Sequence, residues 1–288
     1  MTRTASARRH LPLLALLAPG AGFLLLFFGL PLVRALLGSF APGSDGGSYP
    51  TLDNYREIFT RPVFVDGILY SLWLAIGPTV LAVLIGVPLA TLLVRSYPGK
   101  AFFGALYKIP LVVPGIVAAF LVLVLFDRGG LAHRWAALVG VELPRMVRDP
   151  AGIGIILASG WKNIPFLALI VAGSMAAIPE DLYRAARTLG AGRWTVLFRI
   201  QLPLAMPGIT AAALLIFISN LGSYAAPNLL GPSYPIPVSI HMYDQGFRRG
   251  NWPLVYAMGI IVSACAIVVL LVYYRLTRKI GRQSGDPG

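Results

Sequence analysis

Six long apolar stretches constrain this chain more than any other feature of it. They are Leu13–Phe40, Val65–Val94, Phe102–Phe126, Ala151–Ala177, Leu204–Tyr224 and Trp252–Tyr274. A helix needs about 20 apolar residues to cross the hydrocarbon core of a bilayer, and each stretch supplies that length. The expected fold is an all-α integral membrane protein with six transmembrane helices. Composition agrees, with 12% charged and 57% hydrophobic residues, where soluble domains carry roughly 25% charged residues. The first stretch exceeds the roughly 7–15 residue apolar region of a signal peptide and is followed by further spans. It reads as an uncleaved first span. No second, soluble domain is expected in 288 residues.

The net charge of +13 would suit nucleic acid or anionic lipid. The charges fall in short clusters between apolar stretches, which selects the membrane and excludes nucleic acid. One side holds thirteen basic residues: Arg3, Arg8, Arg9, Arg95, Lys100, Arg184, Arg187, Arg193, Arg199, Arg275, Arg278, Lys279 and Arg282. Its acids are Glu180, Asp181 and Asp286. The other side holds eight basic and eight acidic residues, among them Asp45 and Glu142. The excess of Lys and Arg places the first side in the cytoplasm. Both termini then lie inside. Residues 1–12 form a basic cytoplasmic N-terminus, 13–274 the membrane domain with a cytoplasmic loop over 178–203, and 275–288 a cytoplasmic tail. The expected location is a bacterial inner membrane.

Cys265 is the single cysteine, so neither a disulfide framework nor a Cys/His metal site is expected. Prolines recur within the spans at Pro31, Pro78, Pro88, Pro110, Pro114, Pro165 and Pro207. Each removes a backbone donor and tends to kink its helix. As a set they fit a cavity-forming bundle.

The loop from Ile178 to Ile209 reads IPEDLYRAARTLGAGRWTVLFRIQLPLAMPGI. Pro179 can open a helix, and Glu180 and Asp181 complement its N-terminal dipole. Leu182, Ala185, Ala186 and Leu189 repeat at helical spacing, and Gly190 stands where a helix-ending glycine belongs. A second helix begins near Gly192 and feeds the next span. From physics alone, an interfacial helix with its arginines on lipid phosphates explains this segment equally well.

The spacing resembles the "EAA" loop of binding-protein-dependent ABC importer permeases. Ala185 and Ala186 are followed four residues on by Gly190, and Ile200-x-Leu202-Pro203 begins ten residues after that glycine. The segments Leu52–Phe59 and Ile109–Gly115 extend the likeness. Arg184 departs from it, since the family has Glu there. The resemblance implies a type I ABC importer transmembrane domain whose coupling loop is Arg184, Ala185, Ala186, Gly190, Ile200, Leu202 and Pro203. It implies two ATP-binding cassette subunits, a second homologous permease and an extracytoplasmic solute-binding protein as partners, besides the lipid bilayer. No cofactor is expected on this chain, which is not itself an enzyme; ATP and magnesium belong to the partner ATPase. The stretches AARTLGAGRW, LGSYAAPNLLG and Asn251-Trp252-Pro253 look most like the spermidine/putrescine permease group. A polyamine is thus the first expectation, with sugar, ferric iron, thiamine or phosphonate behind it.

Polar residues at membrane depth are candidate pathway residues: Asn163, Asn220 and Tyr224, with Lys162, Ser219 and Ser223 beside them. Lys162 would oppose a polycation, so it is expected to face a helix partner or the interface. A membrane-embedded enzyme would need clustered acids or histidines, and His10, His133 and His241 are scattered. Gly99-Lys100 lacks the upstream glycine of a phosphate-binding loop. A secondary transporter would need ionisable relays in the spans, for which Lys162 alone is thin support.

Overall fold

A computed structural model describes residues 16–43, 46, 48–96 and 98–283. Among these residues the regular structure is helical throughout, with no strand. Six helical segments are long and apolar enough to cross a membrane.

In chain order, α1 is Leu16–Gly38 and α2 is Asp53–Thr60. The second span, α3, is Pro62–Val94. The region expected as one third span, Phe102–Phe126, is instead three helices: α4 (Lys100–Leu106), α5 (Ile109–Val112) and α6 (Gly115–Phe126). The break between α5 and α6 has a proline cause. Pro114 disfavours the helical region for the residue before it, and Val113 is extended at φ −71°, ψ 124°. The apolar third segment accordingly runs Gly115–Leu138, where α6 is followed by α7 (Leu131–Leu138). Then come α8 (Ile153–Ala176), α9 (Glu180–Thr188), α10 (Arg193–Leu221), α11 (Ala225–Leu230), α12 (Val238–Tyr243) and α13 (Trp252–Gln283). The last helix continues past Tyr274, the expected end of the sixth span. The expected N-terminal segment 1–12 and the end of the tail lie outside the described residues.

Two π-helical turns precede prolines by the same interval. Leu25–Gly29 lies before Pro31 and Leu197–Gln201 before Pro203. A helical proline ring crowds the carbonyl four residues back, and a wider turn relieves that crowding without ending the helix.

The chain forms two compact units. The first combines described residues up to Arg61 with Met242–Ile261. Here the buried Asn54 amide donates to the carbonyls of Ser39 (3.0 Å) and Ala41 (2.8 Å), tying α2 to the end of α1. Gly38 lies under the Tyr256 ring, where a Cβ would come within 2.6 Å of it.

The second unit comprises Pro62–His241 and the described residues from Val262. Its core joins α3, α8 and α10 through Ala82, Ala90, Leu167, Ala168, Val171, Met175, Ala205, Ile209, Ala212 and Ile216. Small residues let these backbones approach closely, as membrane helices require in place of a hydrophobic driving force. A Cβ on Gly77 would lie 2.7 Å from Ile156, and one on Gly86 would lie 2.9 Å from Leu167. Gly160 faces Leu81, and Gly208 faces Ser174. The start of α8 is pinned by both Asp149 carboxylate oxygens, which accept the Ile153 amide at 3.0 Å. Trp73 Nε1 donates to the Ala151 carbonyl at 2.7 Å. In no span is more than 39% of the apolar stretch buried in the protein. Phe23, Leu25, Leu84 and Phe120 point outward, an arrangement suited to lipid and wasteful in water.

Candidate functional site

Helix α8 carries Ser159, Lys162 and Asn163 on one face, and the end of α10 carries Ser219 and Asn220. With Ser223, these six side chains line one cavity of about 340 Å³ that is also bounded by Gly115 at the start of α6. The volume lies at the low end of the usual range for small-molecule sites. Lys162 is the tenth residue of the 24-residue α8, about 14 Å along a helix about 36 Å long. The cavity therefore sits deep within the span.

Asn163 and Asn220 thus line the same cavity. Asn220 is buried, and its amide donates to the Ile216 carbonyl at 2.7 Å. Tyr224 lies between Ser223 and Ala225 in sequence but does not itself line the cavity. Lys162, expected to face a helix partner or the interface, lines the cavity, and its Nζ also lies near Gly115 at the start of α6. Its helical position allows either face, and packing decides. Gly160 and Ala158 take the buried positions, and Lys162 falls on the polar side with Ser159 and Asn163.

The Ile178–Pro203 segment forms a second site. Helix α9 opens after Pro179 and places Glu180 and Asp181 in its first turn. It closes on Gly190, at φ +80°. The Ala191 amide donates to the Ala186 carbonyl and the Gly190 amide to the Arg187 carbonyl, each at 3.0 Å. This pair of bonds is the Schellman arrangement, and it ends the helix after Thr188. Ala186 is buried, whereas Ala185 is exposed. Arg184 pairs with Glu180 at 3.2 Å on the outer face. Leu182, Leu189, Trp194 and Phe198 are all exposed. Trp194 stacks on Phe198, and Arg193 lies 5.5 Å from the Trp194 ring centre.

Behind α9 a crevice of about 700 Å³ is lined by Arg95, Tyr183, Arg187, Arg193 and Gln201. The Tyr183 hydroxyl has no hydrogen-bond partner among the described residues, and burial pushes its pKa up. Ile200 falls in the π-helical turn and Leu202 and Pro203 just after it. Helix α10 is therefore continuous from Arg193, beside Gly190, to Leu221, beside the cavity residues Ser219 and Asn220. Its 29 residues span about 43 Å.

Six helices long and apolar enough to cross a membrane, with a polar cavity among them, make this a multi-pass membrane protein. Residues 82–282 match the family model of the binding-protein-dependent transport system inner membrane component, and the chain belongs to that family as a type I ABC importer permease. The molybdenum transport system permease protein ModB of Escherichia coli (strain K12) is 31% identical over 235 residues, covering 79% of this chain and 99% of its own. The spermidine/putrescine transport system permease protein PotB of Haemophilus influenzae is 25% identical over 265 residues, covering 91% and 92%. In fold, a chain of the bacterial alginate ABC transporter, crystallised with an alginate pentasaccharide-bound periplasmic protein, matches with a TM-score of 0.80 at 20% identity. That match covers 97% of this chain and 98% of the other.

Proposed function

We propose that this permease passes a small, strongly polar solute through the Asn163–Asn220 cavity and takes its driving force from a separate ATPase docked on α9. One observation carries the reading: the uninterrupted helix α10 joins the exposed turn at Gly190 to the cavity wall at Asn220. A displacement of α9 by a partner is delivered to the cavity along this helix, whose π-helical turn at Leu197–Gln201 is of a kind frequent at functional sites.

The partner's surface would meet Ala185, Leu182 and Leu189. Arg184, Ala186, Gly190, Ile200, Leu202 and Pro203 shape that surface or fix it to the span. Two ATP-binding cassette subunits and a second homologous permease complete the assembly, and an extracytoplasmic binding protein delivers the solute. ATP and magnesium are bound by the ATPase, and this chain binds no cofactor. The excess of Lys and Arg supports an inner-membrane orientation with both termini and α9 in the cytoplasm.

For the solute, the PotB relatives favour a polyamine and the ModB relative favours a molybdenum species. Tyr224, outside the cavity lining, would serve at most as a neighbour of the pathway.

Leu189→Asp tests the docking surface, because Leu189 is 87% exposed and its loss leaves the core intact. The variant should reach normal membrane levels and release the ATPase on purification. Unchanged co-purification would remove α9 as the docking element.

A further inference from the structure

The cavity lining has a sign. Among the residues that line it are one ammonium, one buried and one half-buried amide and three serine hydroxyls, and no carboxylate. Among the described residues Lys162 makes no hydrogen bond or ion pair. The Cβ position of Gly115 is 3.7 Å from its Nζ, so the ammonium lies against the first turn of α6. That turn carries no acidic side chain, and its leading amides lack helical partners by construction of the helix. An unpaired cation this deep in a span is costly and marks a functional position. Here it is tolerable because it faces a polar cavity.

We propose that the cavity selects a small oxyanion as cargo, with Lys162 as the side chain that attracts it. This rests on reading the cavity as the translocation pathway. Lys162 supplies the charge, Ser159, Asn163, Ser219 and Ser223 supply neutral donors, and Gly115 keeps the α6 backbone open to approach. A liquid water occupies about 30 Å³, so the cavity's roughly 340 Å³ accommodates a tetrahedral oxyanion with part of its hydration shell. A polyamine would meet a like charge and find no carboxylate.

The test reads the sign of the cavity without knowing the cargo. Ser219→Cys is placed in a Cys265→Ser background within the full nucleotide-free importer complex. It is then labelled with methanethiosulfonates carrying either a sulfonate or a trimethylammonium group. Rates are normalised to those with a free thiol. One charge a few ångströms away at intermediate dielectric changes local concentration about tenfold. The sulfonate reagent should therefore react at least tenfold faster than the cationic one. Lys162→Gln should bring the ratio near one, Lys162→Glu should invert it, and Lys162→Arg should preserve it. Millimolar molybdate or sulfate should slow labelling in the Lys162 protein.

A ratio near one, a cationic preference, or a ratio indifferent to Lys162→Glu overturns the anion assignment, as does protection by spermidine or by neither anion. Failure of both reagents to reach Cys at 219 overturns the pathway reading itself, and this inference with it.

Discussion

The backbone amide of Ala191 donates to the carbonyl of Ala186 at 3.0 Å, closing α9 across Gly190 at φ +80°. A Cβ at Gly190 would meet nothing within 4 Å, so a substitution there encounters no steric clash with its surroundings. Its cost is conformational, about 1–2 kcal/mol for an L side chain in the left-handed region. Gly190→Val should leave the spans folded and membrane levels normal while uptake falls at least tenfold. Gly190→Asn, which tolerates this conformation better, should recover part of the loss. Full uptake by the valine variant would show that this turn is not a coupling element.

The glycine seam between α3 and α8 makes the opposite prediction. Gly160→Leu drives its side chain into Leu81, and Gly86→Leu drives into Leu167 and the Ile164 carbonyl. Overpacking of this kind costs typically 1–3 kcal/mol. Both variants should lower the melting temperature in detergent. Gly173→Ala, with nothing within 4 Å, should not. Equal melting temperatures for all three would contradict the close packing of these helices.

The six-span plan was legible because transmembrane length and apolarity are local properties of a sequence. The break at Val113–Pro114 was harder to see, because apolarity runs through it without interruption. Pro114 was the available signal, but the prolines inside α3, α8 and α10 leave those helices continuous. What differs is extended Val113, which no hydropathy pattern reports. Asn163 and Asn220 were legible as polar residues at depth. The direction of Lys162 was not, since an α-helix offers every residue a face and only packing at Ala158 and Gly160 selects this one. The turn at Gly190 was fully legible, because the sequence requirement there is a local backbone conformation.

Orientation is checked within one unit. Helix α8, about 36 Å long, lies in the chain between exposed Glu142 and exposed Arg187. In a Cys265→Ser background, Glu142→Cys should react with impermeant reagent from the periplasm and Arg187→Cys only from the cytoplasm. Asp45 lies outside the described residues and serves as a second external position. Reversal of the pattern would overturn the charge-based orientation, and labelling of both from one side would overturn the crossing.

Arg184 replaces the glutamate expected at this position. Its pair with Glu180 is exposed, at 70% and 75% for the two side chains, and such pairs contribute about 0–1 kcal/mol. Arg184→Ala should leave thermal stability unchanged. A partner groove adapted to a cation should retain Arg184→Lys and weaken for Arg184→Glu, measured as the ATPase retained during purification. Tighter retention by the glutamate variant would contradict a complementary acidic contact.

The most direct measurement is uptake by proteoliposomes holding the purified complex with its own binding protein. Radiolabelled oxyanion is supplied outside, with ATP and magnesium enclosed or omitted. Accumulation should require ATP and the ATPase subunit, survive collapse of proton and sodium gradients, and disappear in Gly190→Val although the complex still assembles. Uptake driven by an ion gradient in an assembly without any ATPase would contradict the account.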